Sequence, residues 1–288
     1  MSIQVGNILG AARAELDTQM LEKAFVETTD YQTLLAIQDF NFVVGRRGTG
    51  KSAICKKLHQ NLIENKNIML ITEIPKEHFI LEYQYLLNKV ANDYRVAKAI
   101  SRLVWKNHIL LEVIKNIKIH YKGNKIIITD EFLRSYYEKH KNIIDCDAAA
   151  RYTTILREIV NNNSSGPELP SIIASTYQTD KLEVSVKKTL SDIGSTVVAL
   201  YDGLDEGWTP TIIATAILGG LAAAASDFSN SHSNIHITLF IRDNMFRSLA
   251  NLDGDFSKHI ECNTIRLHSD ENSLLNLIAK RLRFILKM

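Results

Sequence analysis

The sequence predicts an α/β fold in which a largely parallel sheet is covered by helices on both faces. Short apolar runs of strand length alternate with longer segments whose apolar residues recur every three or four positions. The chain has 288 residues, of which 45% are hydrophobic and 23% are charged. It therefore has enough apolar material for one large domain or two smaller ones. A glycine-rich turn joins the first strand to a helix.

The net charge and the cysteines of the chain indicate which partners and which cellular compartment to expect. The formal net charge is +2, which by itself indicates neither a nucleic acid nor an acidic membrane as a partner. The three cysteines, Cys55, Cys146 and Cys262, are far apart and lack metal-type spacing. No charged segment followed by an apolar core opens the sequence, so no signal peptide is visible. These observations predict a cytoplasmic protein.

The most apolar stretch covers residues 211–225 and includes paired glycines without a basic flank. It is shorter than the roughly 20 residues that cross a bilayer. We therefore predict a helix buried against the sheet, and no membrane partner.

Four segments follow from the pattern along the chain. Residues 1–38 are mostly helical, with helices predicted from Ala14 to Phe25 and from Thr29 to Ile37. Residues 39–75 form the first half of the core and contain strands at 39–44 and 67–73 around a helix at 53–65. Residues 76–190 form a large helical insertion, with a helical pattern from residue 76 to about 118, a polar loop at 161–167 and a further helix at 171–190.

The second half of the core covers residues 191–288. Its predicted strands are Thr196–Tyr201, Ile235–Ile241 and Asn263–Leu267. The apolar helix at 211–225 lies between the first two of these strands. An amphipathic helix from Leu274 to Leu286, with several basic positions, follows the last one.

The run from Gly45 to Ser52 reads Gly-Arg-Arg-Gly-Thr-Gly-Lys-Ser between a strand and a helix, which is the pattern of a phosphate-binding P-loop. Glycines let the backbone curl around phosphate oxygens, and the helix N-terminus adds its positive dipole end. Lys51 would reach the β- and γ-phosphates, and the Ser52 hydroxyl would bind Mg²⁺. Arg46 and Arg47 occupy positions that more often face solvent. The predicted nucleotide-binding residues are Gly45, Arg47, Gly48, Thr49, Gly50, Lys51, Ser52 and Ala53.

Two acidic positions compete as the magnesium-binding carboxylate. Asp202 follows the strand Thr196–Tyr201, and a carboxylate at a strand end can hold a hydrated cation beside Ser52. Asp130 follows the apolar run 125–129, but it can equally begin a helix, where acidic residues are favoured. We predict that Ser52 and Asp202 form the metal site.

Three further residues complete the predicted catalytic set. Glu206 or Asp205 would polarise the attacking water as a general base. Arg242, at the end of the strand Ile235–Ile241, would place a guanidinium near the γ-phosphate. The alternatives are a solvated acidic turn for Asp205 and Glu206, and an ion pair with Asp205 or Asp243 for Arg242.

The pairing of the glycine-rich run 45–52 with Asp202-Gly203-Leu204-Asp205-Glu206 resembles the STAND class of P-loop NTPases, and the DGLDE form resembles that of NACHT domains. Arg242 matches their sensor-1 position. The chain also resembles bacterial P-loop ATPases, some of which are encoded with anti-phage defence genes. The resemblance covers about residues 10–60 and 195–285. It implies a STAND/AAA+-like sheet with an added strand between the P-loop strand and the Walker B strand, and it favours Asp202 over Asp130.

The resulting expectation is a Mg²⁺-dependent ATPase that acts as an oligomerising nucleotide switch with slow hydrolysis. Residues 1–38 then either pack against the core or form a lid that touches the nucleotide base. ATP is favoured because no guanine-reading NKxD motif is present. The resemblance further implies an effector or sensor protein as a partner. A neighbouring subunit would supply an arginine to the phosphates, for which Arg151, Arg157 and Arg247 are the candidates.

Three other functions remain open. A DNA-dependent motor or loader predicts a basic surface, for which the stretch from Lys280 to Lys287 is the candidate, and so nucleic acid stays an open partner. A small-molecule kinase agrees poorly with the DGLDE element and the long insertion. The third alternative is a structural protein with an inactive nucleotide site. It is disfavoured because Lys51, Ser52, Asp202 and a further acid are all present.

Overall fold

The computed structural model describes residues 9–11, 16–36, 42–120, 130–161, 166–230, 234–254, 256, 263–268 and 270–287. Five strands form one sheet in which every neighbouring pair is parallel. The strands are β1 (Phe42–Gly45), β2 (Ile68–Glu73), β3 (Thr196–Tyr201), β4 (Ile235–Arg242) and β5 (Thr264–Leu267). Their order across the sheet is β2-β3-β4-β1-β5. A strand thus lies between β1 and β3, as the sequence predicts.

Helices connect the strands and cover both faces of the sheet, so the predicted α/β class is confirmed. Between β2 and β3, the described residues form six helices, α4 to α9. The helices of the described residues are α1 (Thr18–Lys23), α2 (Thr29–Leu35), α3 (Lys51–Leu62), α4 (Glu77–Val90), α5 (Tyr94–His120), α6 (Glu131–Ile144), α7 (Ala148–Asn161), α8 (Leu169–Thr176), α9 (Thr179–Asp192), α10 (Ile212–Asn230), α11 (Asp243–Leu252) and α12 (Glu271–Ile285).

The two faces of the sheet bury different side chains of the same strands. In β3, Val198 and Leu200 pack in one cluster with α2 and α3, whereas Val197, Ala199 and Tyr201 join a larger cluster on the opposite face. Successive side chains of a strand point to opposite faces, so a strand covered on both sides reads as an unbroken apolar run. This explains why the bounds predicted for this strand are those observed.

Helix α10 is the long apolar helix of the second face. By length and composition Ile212–Ser229 qualifies as a membrane span, but 67% of this window is buried inside the protein. A Cβ atom at Gly220 would lie 2.4 Å from Cβ of Ser101 on α5, so the glycine allows the two helices to touch. The predicted core helix is therefore observed, and it extends five residues beyond the predicted end.

Three predicted segments differ from the structure or lie outside it. The continuous helical pattern predicted from residue 76 to about 118 is broken, because the Asp93 carboxylate caps α5 by accepting bonds from the backbone N–H groups of Arg95 and Val96. The predicted helix 14–25 is shorter in the structure, where α1 begins at Thr18 after the N-cap Asp17 and ends at Lys23. The apolar run 125–129 lies outside the described residues.

Candidate functional site

The glycine loop, residues Gly45–Ser52, leaves the sheet at the carboxyl end of β1 and enters α3. Gly48 and Gly50 have φ values of 88° and 89°, a region that favours glycine. Gly50 is the N-cap residue of α3, and as a glycine it offers no side chain to cap the helix. The first backbone N–H groups of α3 are therefore open to an anion, as the helix dipole also favours.

Two side chains of the loop bond to the loop itself. The Lys51 ammonium donates to the carbonyl oxygens of Gly45 and Arg46, both at 2.9 Å. The Thr49 hydroxyl donates to the carbonyl oxygen of Arg46, also at 2.9 Å. Burial lowers the pKa of Lys51, Arg242 lowers it further, and Asp202 and Asp205 oppose this shift. An anion of several charges would give the Lys51 ammonium a stronger partner than two neutral carbonyls.

Asp202 follows β3 and lies against the start of α3. Its carboxylate accepts a hydrogen bond from the Ser52 hydroxyl, and its residue is only 7% exposed. Burial raises the pKa of Asp202, and the nearby Asp205 adds to the shift, whereas Ser52, the Gly203 backbone N–H and Lys51 oppose it. The structure thus brings together the two residues predicted to hold magnesium.

The donor set at Ser52 and Asp202 suits a hard cation that keeps most of its hydration. Among the described residues no three His, Cys, Asp or Glu side chains form a metal-binding group. A magnesium ion here would therefore take its remaining ligands from water and from the phosphates of a bound ligand, which is its usual behaviour.

The two acidic residues in the turn after Asp202 have different surroundings. Asp205 forms an ion pair with the Arg242 guanidinium, while Glu206 is exposed and its backbone N–H bonds to the Gly203 carbonyl at 3.0 Å. Arg242 itself lies beside Gly45 in the β1–β4 register. The ion-pair alternative for Arg242 is thus the arrangement in this structure, and it holds Arg242 next to the glycine loop.

The remaining predicted residues lie around the same loop. Ala53 is half-buried in the first turn of α3, and Arg46 and Arg47 are exposed on the outer side of the loop. Together with parts of α11 and β5, the outer side of the loop borders a cleft of about 580 Å³.

Two alternatives from the sequence have structural roles instead. Asp130 is the N-cap of α6, where its carboxylate accepts from the Leu133 backbone N–H at 2.9 Å. Arg151 is fully buried and donates to Ile143 and Ile144 carbonyls at the end of α6 and to Glu112. The candidacy of Arg151 as an arginine for a neighbouring subunit is therefore wrong, because its guanidinium is enclosed by its own chain.

The predicted basic face near the C-terminal end of the sequence is also partly occupied. Lys280 donates to the Phe25 carbonyl at 2.6 Å, and Arg281 pairs with Asp17 at the same distance. These two side chains fasten α12 to the N-terminal segment.

A buried polar pair behind the site was missed by the sequence analysis. Glu73, the last residue of β2, bonds to His108 of α5 with 2.7 Å between Oε2 and Nε2. Tyr201 bonds to Glu73 as well, and burial raises the pKa of this tyrosine well above its ordinary value. The Glu73 carbonyl also accepts the backbone N–H of Asp202 at 3.1 Å. The signals available were a carboxylate ending an apolar strand and a histidine on an apolar helix face.

Comparison with known proteins gives partial matches. The chain is 33% identical over 282 residues, 98% of its length, to the "Putative transposon gamma-delta 80.3 kDa protein" of Escherichia coli K12. A stretch of 49 residues is 49% identical to "Allergen Alt a 2" of Alternaria alternata, covering 17% of this chain and 26% of that protein. No family model and no solved structure matches. The chain spans 40% of the length of the Escherichia coli protein to which nearly all of it is similar.

Proposed function

We propose that this chain is a P-loop NTPase of the STAND/AAA+ type that binds ATP and Mg²⁺ at the glycine loop and hydrolyses ATP slowly. One observation carries the proposal: Lys51, Ser52, Asp202 and Arg242 converge where the carboxyl ends of β1, β3 and β4 meet. Ligands in open α/β sheets bind at this edge.

Each residue of the site has a separate role in the proposed ATP hydrolysis. The loop and the N-terminus of α3 hold the phosphates, and Lys51 exchanges its loop carbonyls for the β- and γ-phosphate oxygens. Ser52 and Asp202 would hold Mg²⁺, which neutralises charge on the β- and γ-phosphates when bound. Glu206 accepts a proton from the attacking water. The water oxygen bonds to the γ-phosphorus as the bond to the bridging oxygen breaks, leaving ADP and phosphate.

Two features of the site favour slow turnover. Arg242 is held by Asp205 and must leave it before it can contact the γ-phosphate. Glu206 lies four positions after Asp202 in an exposed turn, so its distance from the attacking water depends on the conformation of that turn. Such a site suits a switch in which the bound γ-phosphate stabilises one conformation of the protein. We further propose a cytoplasmic, oligomeric protein with an effector or sensor partner, with anti-phage defence as the setting that the resemblance to bacterial P-loop ATPases implies.

The test is ATP hydrolysis by the purified chain across a range of protein concentrations, with Lys51→Ala and Glu206→Gln variants. We expect specific activity to rise with protein concentration. Lys51→Ala should lose ATP binding, and Glu206→Gln should keep binding while losing about 10²-fold in rate. Lys66→Ala and Glu64→Gln are matched controls, because both residues are exposed between α3 and β2. Absence of ATP binding by the wild-type chain would refute the proposal.

A second candidate is an ATPase that acts on DNA. The Escherichia coli relative is named as a putative transposon protein, and a transposon is a DNA element. Stimulation of hydrolysis by added duplex DNA would favour this function over the autonomous switch.

A further inference from the structure

A cleft with an unusual concentration of positive charge lies on the outer side of the glycine loop. We call it the arginine cleft. Its charged and titratable lining residues are Arg46, Arg47, Asp243, Arg247, Arg266 and His268. Four arginines against one aspartate leave a net charge of +3 with His268 neutral, whereas the whole chain carries only +2. The positive potential of the molecule is therefore focused here.

The arginines come from three separate elements, which spreads their charges along the cleft. Arg46 and Arg47 belong to the glycine loop, Arg247 to α11 and Arg266 to β5. The side chains of Arg247 and Arg266 are 69% and 42% exposed, so an external ligand can reach them. Three elements of the protein can therefore contact the phosphates of one polyanion.

The guanidinium groups on α11 and β5 are partly oriented before any ligand binds. Asp243 lies 2.8 Å from Arg247 and 3.9 Å from Arg266, so one carboxylate is shared between two guanidinium groups. Arg266 also lies over the ring of Phe246, 4.8 Å from its centre. Aromatic stacking fixes the plane of a guanidinium while leaving its N–H groups available to phosphate oxygens.

The arginine cleft borders the site proposed for ATP, because Gly45, Arg47, Gly48 and Thr49 of the glycine loop line the cleft and are also predicted to bind the nucleotide. Lys51, Ser52 and Asp202 are not among its lining residues. Its apolar lining within the described residues consists of Val44 and Leu267, which are buried strand residues. A lipid tail or an apolar peptide would therefore find little surface to cover.

We infer that the arginine cleft binds the phosphodiester backbone of a nucleic acid. Arginine forks match phosphate oxygens bidentately, and phosphate contacts supply most of sequence-independent nucleic-acid affinity. The binding does not require hydrolysis, so this inference goes beyond the proposed ATPase and can fail or stand without it.

The test is fluorescence anisotropy with a labelled DNA duplex of about 20 base pairs, titrated at salt concentrations between about 50 and 200 mM. The variant is Arg247→Ala/Arg266→Ala. The matched control is Arg95→Ala/Arg134→Ala, which removes the same charge from exposed positions on α5 and α6. Binding of a fluorescent ATP analogue by each protein shows whether the nucleotide site is intact. Lys51→Ala separates this inference from the proposed function.

We expect the cleft variant to lose at least about tenfold in DNA affinity and its salt slope to fall by about 2, because two phosphate contacts are lost. The control variant and Lys51→Ala should bind DNA like the wild type, and the cleft variant should still bind the ATP analogue. Equal DNA binding by the cleft and control variants would overturn the inference. Loss of ATP-analogue binding with unchanged DNA binding would also overturn it, by assigning the cleft to the nucleotide.

Discussion

Asp202 brings a carboxylate to a place from which water is nearly excluded. Its raised pKa means that the folded chain holds the proton more tightly than the unfolded chain. Stability is therefore lost as the pH rises from the ordinary value of 3.8 through the raised pKa, and the ionised group is a cost at neutral pH. A bound cation would remove this cost. If Asp202 holds magnesium as proposed, the cost of burying its charge is offset when the cation binds.

We expect Asp202→Asn to raise the melting temperature of the protein without nucleotide and magnesium by about 2 °C at neutral pH. The asparagine can still accept the Ser52 hydrogen bond but carries no charge. The gain should shrink as the pH falls toward 3.8, and magnesium-dependent ATP binding should be lost. Thermal denaturation from pH 4 to 8 measures this, with the exposed Asp192→Asn as control. A lower melting temperature than wild type at neutral pH would show that the charge is already compensated.

The site residues differ in how far the sequence could predict their positions. Ser52 and Asp202 are 150 positions apart, yet they hydrogen bond, and their meeting was predictable because parallel strands end at one edge of the sheet. The partner of Arg242 was left open between two aspartates. That choice depends on side-chain distances of a few ångströms within the turn, which no sequence pattern encodes.

At the scale of elements, the Glu73–His108 pair joins the end of β2 to the middle of α5. His108 is fully buried and Glu73 is 7% exposed at its side chain. We expect His108→Ala to lower the free energy of unfolding by about 2–3 kcal/mol, since it leaves the Glu73 carboxyl group with one partner fewer inside the core.

Glu73→Gln should cost less than His108→Ala, because the amide removes the charge and can still bond to His108 or Tyr201. Urea denaturation measures both variants, and the exposed His78→Ala should stay within about 0.5 kcal/mol of the wild type. A larger loss of stability in Glu73→Gln than in His108→Ala would contradict this prediction. It would show that the core depends on the Glu73 carboxylate more than on its pairing with His108.

Element types were more predictable than the contacts between elements. The strands were found because apolar runs buried on both faces lack polar interruptions. The break between α4 and α5 was missed although Asn92-Asp93 is a recognisable cap signal, because the apolar spacing continues across it. The Glu73–His108 contact was beyond prediction, since it exists only after the long α5 has packed against the sheet.

At the scale of the whole molecule, the open question is which arginine a neighbouring subunit would contribute. Arg157 and Arg247 keep exposed side chains, 52% and 69% respectively, although each pairs with an acid of its own chain. We expect one of the variants Arg157→Ala and Arg247→Ala to regain hydrolysis when mixed with Lys51→Ala. In such a mixture the arginine variant supplies an intact nucleotide site, and Lys51→Ala supplies the intact arginine.

The measurement is phosphate release by the mixtures at a protein concentration where the wild type is oligomeric. Each variant alone and the mixture of Lys51→Ala with Glu206→Gln serve as controls. If no mixture exceeds the sum of its separate components, a shared active site between subunits is excluded for these two arginines.

The order of the strands also has a consequence for synthesis of the chain. β1 pairs with β4 and β5, so about 190 residues are translated between Gly45 and the first residue of its earliest partner. At 5–20 residues/s the strand Phe42–Gly45 would wait about 10–40 s for a neighbour. During that interval an apolar strand edge and the glycine loop stay unpaired, while the helices α4 to α9 can form from local contacts. The nascent chain is therefore expected to depend on chaperones until residue 242 has left the ribosome.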